Sequence, residues 1–367
     1  MEEEGFEFKT KEGVFYNPKM TFSRSVSSLA VGSIDEKLDL IDGFCASGIR
    51  GLRYAFENEN VNSISFVDCD ESALKLCKTN SKKLKIEKSF HQNSFSKLTF
   101  DLRGNFVELD PFGTPSPFIF DAIRMMSHQK TAYISATATD VAVLCGSNID
   151  AAMKNYHSKT LNNEFTHENG LRILVNRIAN VASEFNFGIT PLLSFSDQHY
   201  LKTIIKLTRS ADDAVSSLRN CGFVNFCPKC LNRFSSPFPI SSCSNCQNSK
   251  IDYCGPLWFG ELSKPAFVEK MIKLNKKRKY SNSTQIDEFL TLIKNEQFAQ
   301  PYHFGIHEIC KFLKLKSVPK FDSIVQKLNE YSTKETNRVL CTPIHYGPNK
   351  IKTNLSAKEL IDFFKNL

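Results

Sequence analysis

Apolar residues follow two rhythms along the first two-thirds of the chain, and each switch between them marks a new element. "LDLIDGF" is a short apolar run with strand character, followed by the small-residue turn "CASGIRG". Ile49, Leu52, Ala55 and Phe56 then recur at helical spacing. The pattern repeats in "VNSISFVDCD", a strand, and "SALKLCKTNSKKL", a helix. "GNFVELDPFGTPSPF" predicts a strand running into a Pro/Gly-rich turn, and "TAYISATATD" a strand ending on an acid. "LRILVNRIANVASEFNF" predicts an amphipathic helix and "ITPLLSFSDQHYLKTIIKLTRS" two late strands. Strands alternating with helices in this way predict an α/β domain with a parallel, doubly wound sheet.

Two regions lack this rhythm. Residues 1–37 mix aromatics, a proline and basic residues without a period, and predict an irregular arm ending in a short helix. Residues 227–254 are rich in Cys, Ser, Asn and Pro. Beyond Pro301 helical spacing returns in "HFGIHEICKFLKL" and "FDSIVQKLNEYS", and "RVLCTPIHY" reads as a strand. The expected division is residues 1–225, arm plus α/β domain, and residues 226–367, a smaller α+β domain.

Composition narrows the class. Of 367 residues, 41% are hydrophobic and 31 are Phe, which excludes wholesale disorder. The net charge of +8 is compatible with a nucleic-acid partner without proving one. No apolar run approaches the ~20 residues of a membrane helix. Glu2, Glu3 and Glu4 contradict a secretory leader or an acid-poor presequence, so an intracellular, membrane-free protein is expected, its 12 Cys largely reduced.

Three segments carry chemistry. The loop from Asp42 to Gly51, including Gly43 and Gly48, follows a strand and opens a helix, where small residues let backbone approach a ligand. It lacks the G-x-G-x-x-G dinucleotide pattern. Asp68, ending the next strand, is placed to accept both hydroxyls of a ribose; Asp70 offers the same by a register shift. The turn Asp110-Pro111-Phe112-Gly113 reads alone as a structural strand-ending turn, but with the glycine cluster upstream it suits methylation of an exocyclic base amine. Such a nitrogen is a poor nucleophile because its lone pair is delocalised into the ring. Hydrogen bonds from the amine to the Asp110 carboxylate and the Pro111 carbonyl draw it towards sp3 geometry, while Phe112 stacks on the base. The third segment is Cys227-x-x-Cys230, then twelve residues, then Cys243-x-x-Cys246. Two thiolate pairs of this kind complete a tetrahedral, structural Zn2+ site, with Cys254 as a possible substitute ligand.

"VFYNPKMTFSRS", "DGFCASGIRGLRYAFE", "VELDPFGTPSPFIFDA", "TATDVAVLCG", "HENGLRIL", "PLLSFSDQHYLK", "CGPLWFG" and "IHYGPNKIKTN", in that order, resemble the characteristic strings of the tRNA guanine-N2 dimethyltransferase family over nearly the whole chain. Departures include Ser25, where the family has Asp, and Cys45-Ala46-Ser47 in the cofactor loop. The resemblance implies a Rossmann-like class I S-adenosylmethionine-dependent methyltransferase domain joined to a C-terminal domain that grips tRNA. It implies transfer of one or two methyls to N2 of guanosine 26. Asp110 would then hold the amine, with Phe112 and Phe15 framing the base. Arg24 and Arg50 would contact the methionine part, with Arg53 as the alternative to Arg50. Asp68 would bind the ribose, and Asn93 and Ser94 would lie near the adenine. His199 and Asp197 are not needed as acid or base, because a sulfonium leaving group needs no proton. Two rivals are an amino-methyltransferase acting on another RNA or on DNA, and a catalytically inert RNA-binding module. The basic run Lys273, Lys276, Lys277, Arg278, Lys279 is read as a tRNA phosphate contact, a nuclear import signal or a solvated linker. A monomer is expected.

Overall fold

The computed structural model describes residues 1–298, 300–331 and 338–367. Its centre is a seven-stranded sheet of β1 (Leu38–Asp42), β2 (Val61–Asp68), β3 (Glu87–Gln92), β4 (Phe106–Leu109), β5 (Thr131–Ala138), β6 (Phe187–Asp197) and β7 (Tyr200–Arg209). The order across the sheet is β3-β2-β1-β4-β5-β7-β6. The first five strands run parallel; β7 is antiparallel to both β5 and β6. The order turns back at β1, which pairs with β2 on one side and β4 on the other. A crevice opens at such a switch point, beyond the carboxyl ends of the strands.

Both faces of the sheet are covered, so the strands alternate between two apolar layers. Ile41, Val107, Ile134 and Ile205 point into a core shared with α4 (Ile119–Met125) and α5 (Thr166–Glu184). Leu40, Phe106, Tyr133 and Ile204 point the other way, towards α1 (Thr21–Gly32), α2 (Ile49–Glu57) and α3 (Glu71–Asn80). This is why near-continuous apolar runs announced strands in the sequence.

The arm is more ordered than its irregular pattern predicts. Residues Glu2–Glu3 pair with Phe6–Glu7 as a small hairpin, and α1 runs twelve residues. Its weak apolar signal has a physical cause: α1 buries serines. Ser25 accepts a hydrogen bond from Arg53, and Ser28 donates to Glu57, both on α2.

The expected boundary near residue 225 falls inside a strand, Cys221–Phe226 (β8), which pairs with Arg233–Ser236 (β9) and Asp252–Trp258 (β10). Beyond it the chain returns to the first core. Helices α6 (Pro265–Arg278) and α7 (Ser283–Asn295) bury Val268, Met271, Ile286 and Leu290 in the same layer as α1 and α2. The basic run is thus the end of α6 rather than a linker, and Arg278 is bound to Glu57, Ser28 and Asn58. Residues from Phe304 onward form a third core, with three short strands and the helices Ile306–Phe312, Phe321–Glu330 and Ala357–Lys365. The final residue of "FDSIVQKLNEYS" lies outside the described residues. At the seam with α5, buried Glu168 is surrounded by Arg172, Lys352 and His303, within 2.8 Å of each.

Candidate active site

A cavity of ≈650 Å³ opens at the switch point. Five strand ends line it in sheet order. Asp68 closes β2, the loop after β1 supplies Phe44 to Ser47, and Asp110 follows β4. Thr139 follows β5, and Gln198 and His199 form the turn from β6 into β7. The arm closes the cavity from above with Phe15, Asn17 and Lys19.

Local sequence explains the loop after β1. Gly48 has φ +81°, and a Cβ there would fall 2.4 Å from the Cys77 sulfur. Only glycine permits both that turn and the close seat of α2 against α3. Asp68 Oδ2 accepts from the Ala46 N–H at 2.9 Å, which ties the loop to the end of β2. Asp70 instead caps α3 by accepting from Ser72 N–H at 2.8 Å, so of the two acids it is Asp68 that faces the cavity.

Asp110 lies at the centre. Arg50, from the first turn of α2, places Nη2 2.7 Å from its Oδ2. The carboxylate remains a quarter exposed. Burial opposes its charge, but Arg50, with Lys202 behind it, outweighs that and holds the carboxyl below the ordinary Asp range. Beneath Asp110 is a fully buried network absent from the sequence reading. Lys202 pairs with Glu108 and lies 2.9 Å from Thr137 Oγ1, and the Tyr54 hydroxyl donates to Glu108 Oε2 at 2.9 Å. Burial, reinforced by Glu108, raises Asp42 to about 7. Their signal was a charge set within apolar strand sequence, "VEL" and "YLKTII".

The remaining expected residues divide. Phe15 and Phe112 reach the cavity mouth, 52% and 81% exposed, their rings edge to face at 5.0 Å. Pro111 is on the wall, and so is Arg24, but the Arg24 guanidinium is bound bidentately to Glu3. Arg53 is not on the wall; it is buried against Glu3 and Glu57. Three residues expected at the cofactor do not line the cavity. Asn93 and Ser94 sit just past β3, where the Asn93 N–H is bound to the Asp68 carbonyl. Gly43 leaves room for the Phe95 ring, which a Cβ would meet at 2.8 Å; its small size serves packing.

The four cysteines converge outside the cavity. All four sulfurs lie within 4.8 Å of one another, with Cys227–Cys246 at 3.7 Å and Cys230–Cys243 at 3.6 Å. A Zn–S bond of ~2.3 Å gives sulfur–sulfur edges of about 3.8 Å in a tetrahedron, so the donor set fits zinc. Cys254 is outside the group.

Strand order and a cavity at the switch point together define a Rossmann-like class I methyltransferase. Its cavity is lined by an acid-Pro-Phe turn, and the loop after β1 carries no dinucleotide fingerprint. A profile of the N2,N2-dimethylguanosine tRNA methyltransferase family matches residues 1–365, and the chain belongs to that family. It is 31% identical over 366 residues to the tRNA (guanine(26)-N(2))-dimethyltransferase of Methanobrevibacter smithii, covering 96% of this chain and 92% of that one. The Methanospirillum hungatei enzyme of the same name is 32% identical, covering 95% and 91%. Among solved structures, Trm1 from Pyrococcus horikoshii in complex with S-adenosyl-L-methionine superposes with a TM-score of 0.85 at 26% identity, covering 97% of this chain and 96% of that one. Among the described residues, no helix is long and apolar enough to cross a membrane.

Proposed function

We propose that the protein transfers methyl groups from S-adenosylmethionine to the exocyclic N2 of guanosine 26 in tRNA, giving N2-methyl- or N2,N2-dimethylguanosine. The observation that carries this is the position of Asp110 between two halves of one cavity. On its β1–β2 side, Asp68 and the loop at Ala46 suit a nucleoside with free ribose hydroxyls. Towards the arm and β5, Phe15 and Phe112 offer apolar faces to a planar base.

The base lies within a folded tRNA and must be swung out to enter. Its N2–H bonds go to the Asp110 carboxylate and the Pro111 carbonyl, aiming the nitrogen lone pair at the methyl carbon. As the C–N bond forms, the C–S bond breaks and sulfur keeps the electron pair. The nitrogen then sheds one proton, for which the ionised Asp110 is the nearest acceptor. Arg50 is held against Asp110 and lines the cavity, where it is a cation available to the donor's carboxylate. The network of Glu108, Lys202 and Tyr54 keeps the floor rigid and dry.

The four cysteines hold a structural Zn2+, which keeps β8 to β10 folded and takes no part in the chemistry. Exposed Lys273, Lys276, Lys277 and Lys279 meet tRNA phosphates. The test is nucleoside mass spectrometry of tRNA transcripts, with and without guanosine at position 26, incubated with protein and donor. Methylated guanosine is expected only in the first. Equal product in both, or in neither, overturns the reading.

A further inference from the structure

We infer that Gln198 reads the guanine, holding its N1–H and O6 while Asp110 holds N2; this rests on the function proposed above. Asp110 follows β4, and the cofactor-side groups, Asp68 and the loop after β1, lie on one side of it. On the other side come β5 and then β7, with Leu109 opposite Ala136 and Ala138 opposite Leu201. The turn before Leu201 therefore stands about two strand spacings, ~10 Å, from the strand bearing Asp110, on the base side.

That turn is built to present a side chain. Asp197 pairs with Tyr200, leaving Gln198 and His199 as a two-residue hairpin loop. Gln198 has φ +45°, at the first central position, where glycine is favoured. The turn is anchored from below: the Tyr200 hydroxyl donates to Asp197 Oδ2 at 2.9 Å, and the Tyr200 ring packs on Phe195. Gln198 and His199 are exposed, line the cavity, and have no side-chain hydrogen bond among the described residues. By contrast, Arg24, Arg50 and Asp68 on the same wall are already bonded to protein groups.

The chemistry selects Gln198 over its neighbour. In guanine, N2, N1 and O6 follow one another along one edge, offering donor, donor and acceptor. With N2 bound to Asp110, the next two atoms present a donor beside an acceptor. A carboxamide supplies the complement, an acceptor beside a donor, in one plane and at any pH. An imidazole cannot offer both to adjacent atoms.

A tRNA carrying 2-aminopurine at position 26 tests this, because that base keeps the 2-amino group and lacks both O6 and N1–H. Two variants are compared with wild type, Gln198→Ala and Gln198→Gly; the second suits the positive φ and preserves the turn. Wild type should prefer guanosine in kcat/KM. Both variants should lose roughly 10–100-fold on guanosine and less than about twofold on 2-aminopurine, collapsing the preference. Equal loss on both substrates, or no loss on guanosine, overturns the assignment. A wild-type protein inert towards both tRNAs overturns the underlying reading instead.

Discussion

Arg50 donates to Asp110 with two nitrogens aimed at a single oxygen: Nη2 lies 2.7 Å and Nε 3.0 Å from Oδ2. One carboxylate oxygen is thus occupied and the acid is oriented before any substrate arrives. Asp110→Asn keeps the size and removes the charge. It should lower kcat by about 10²–10⁴-fold while donor affinity, measured by calorimetry, stays within a few-fold. Near-wild-type turnover would remove the mechanism.

The same pair fixes a pH dependence. In the folded protein Asp110 ionises below the ordinary Asp range because Arg50 and Lys202 outweigh burial. Removing Arg50 leaves burial opposed chiefly by Lys202, so the carboxyl pKa must rise. In Arg50→Ala the acid limb of the kcat/KM profile should move to higher pH, with more of the enzyme protonated and inactive at any mildly acidic pH. The donor KM is a separate readout. An unmoved acid limb would mean that the ion pair does not set the ionisation of Asp110.

How far the sequence spoke for itself varies by element. Short apolar runs located every parallel strand except β3, "EKSFHQ", whose half-buried edge position leaves no apolar run to see. Asp68 and Asp110 were legible because each ends a strand beside a turn. Asn93 and Ser94 lie beside Asp68 without lining the cavity, because position after a strand does not say which way a loop then turns. The Glu3–Arg24 pair and the Glu108–Lys202 pair join residues 21 and 94 apart, and no local pattern links such partners. The return of α6 and α7 to the first core was hidden for the same reason.

Phe15 and Phe112 meet edge to face with centroids 5.0 Å apart. A base sandwiched between two rings needs about 7 Å, so the pair must part when the base enters. Until then each ring covers only an edge of the other, and both stay largely exposed at the cavity mouth. Phe112→Ala should weaken kcat/KM for tRNA by about 5–150-fold, the range for one base stacked on an aromatic ring. Phe112→Tyr should restore most of it. Steady-state methylation kinetics with unmodified tRNA check this, and an unaffected Phe112→Ala would place the base elsewhere.

Glu3 binds two arginines that are themselves buried, Arg24 on α1 and Arg53 on α2, each at 2.7 Å. Burial would raise its pKa, but the two guanidiniums reverse that and lower it to about 2. The sign follows: a depressed carboxylate adds stability above its unfolded pKa and loses it as pH falls from about 4.5 towards 2. The linked contribution is on the order of 3 kcal/mol. Glu3→Gln should therefore lower stability at pH 7, detach the arm that carries Phe15, and flatten the acid part of the stability profile. Urea denaturation at pH 7 and pH 3 measures this; equal losses at the two pH values would contradict it.

The metal reading has a sharper basis than the spacing of its cysteines. The two knuckles repeat one pattern, Cys-x-x-Cys-x-Asn, in "CPKCLN" and "CSNCQN". Leu231 and Gln247 occupy equivalent positions with φ +56° and +57°. Asn232 Nδ2 points at Cys243 Sγ at 3.8 Å, and Asn248 Nδ2 at Cys227 Sγ at 3.5 Å, so each knuckle's amide faces a sulfur of the other. Amide dipoles aimed at sulfur suit thiolates, and four thiolates this close repel unless a cation lies among them. Freshly purified protein should contain about one zinc per chain. Cys243→Ser should lose it and lower the melting temperature by several degrees, while Cys254→Ser, a buried thiol donating to the Val224 carbonyl, should keep it. Because the cluster does not line the cavity, metal loss should raise the KM for tRNA more than it lowers kcat. Wild-type protein free of zinc and equally stable with and without chelator would sink the assignment.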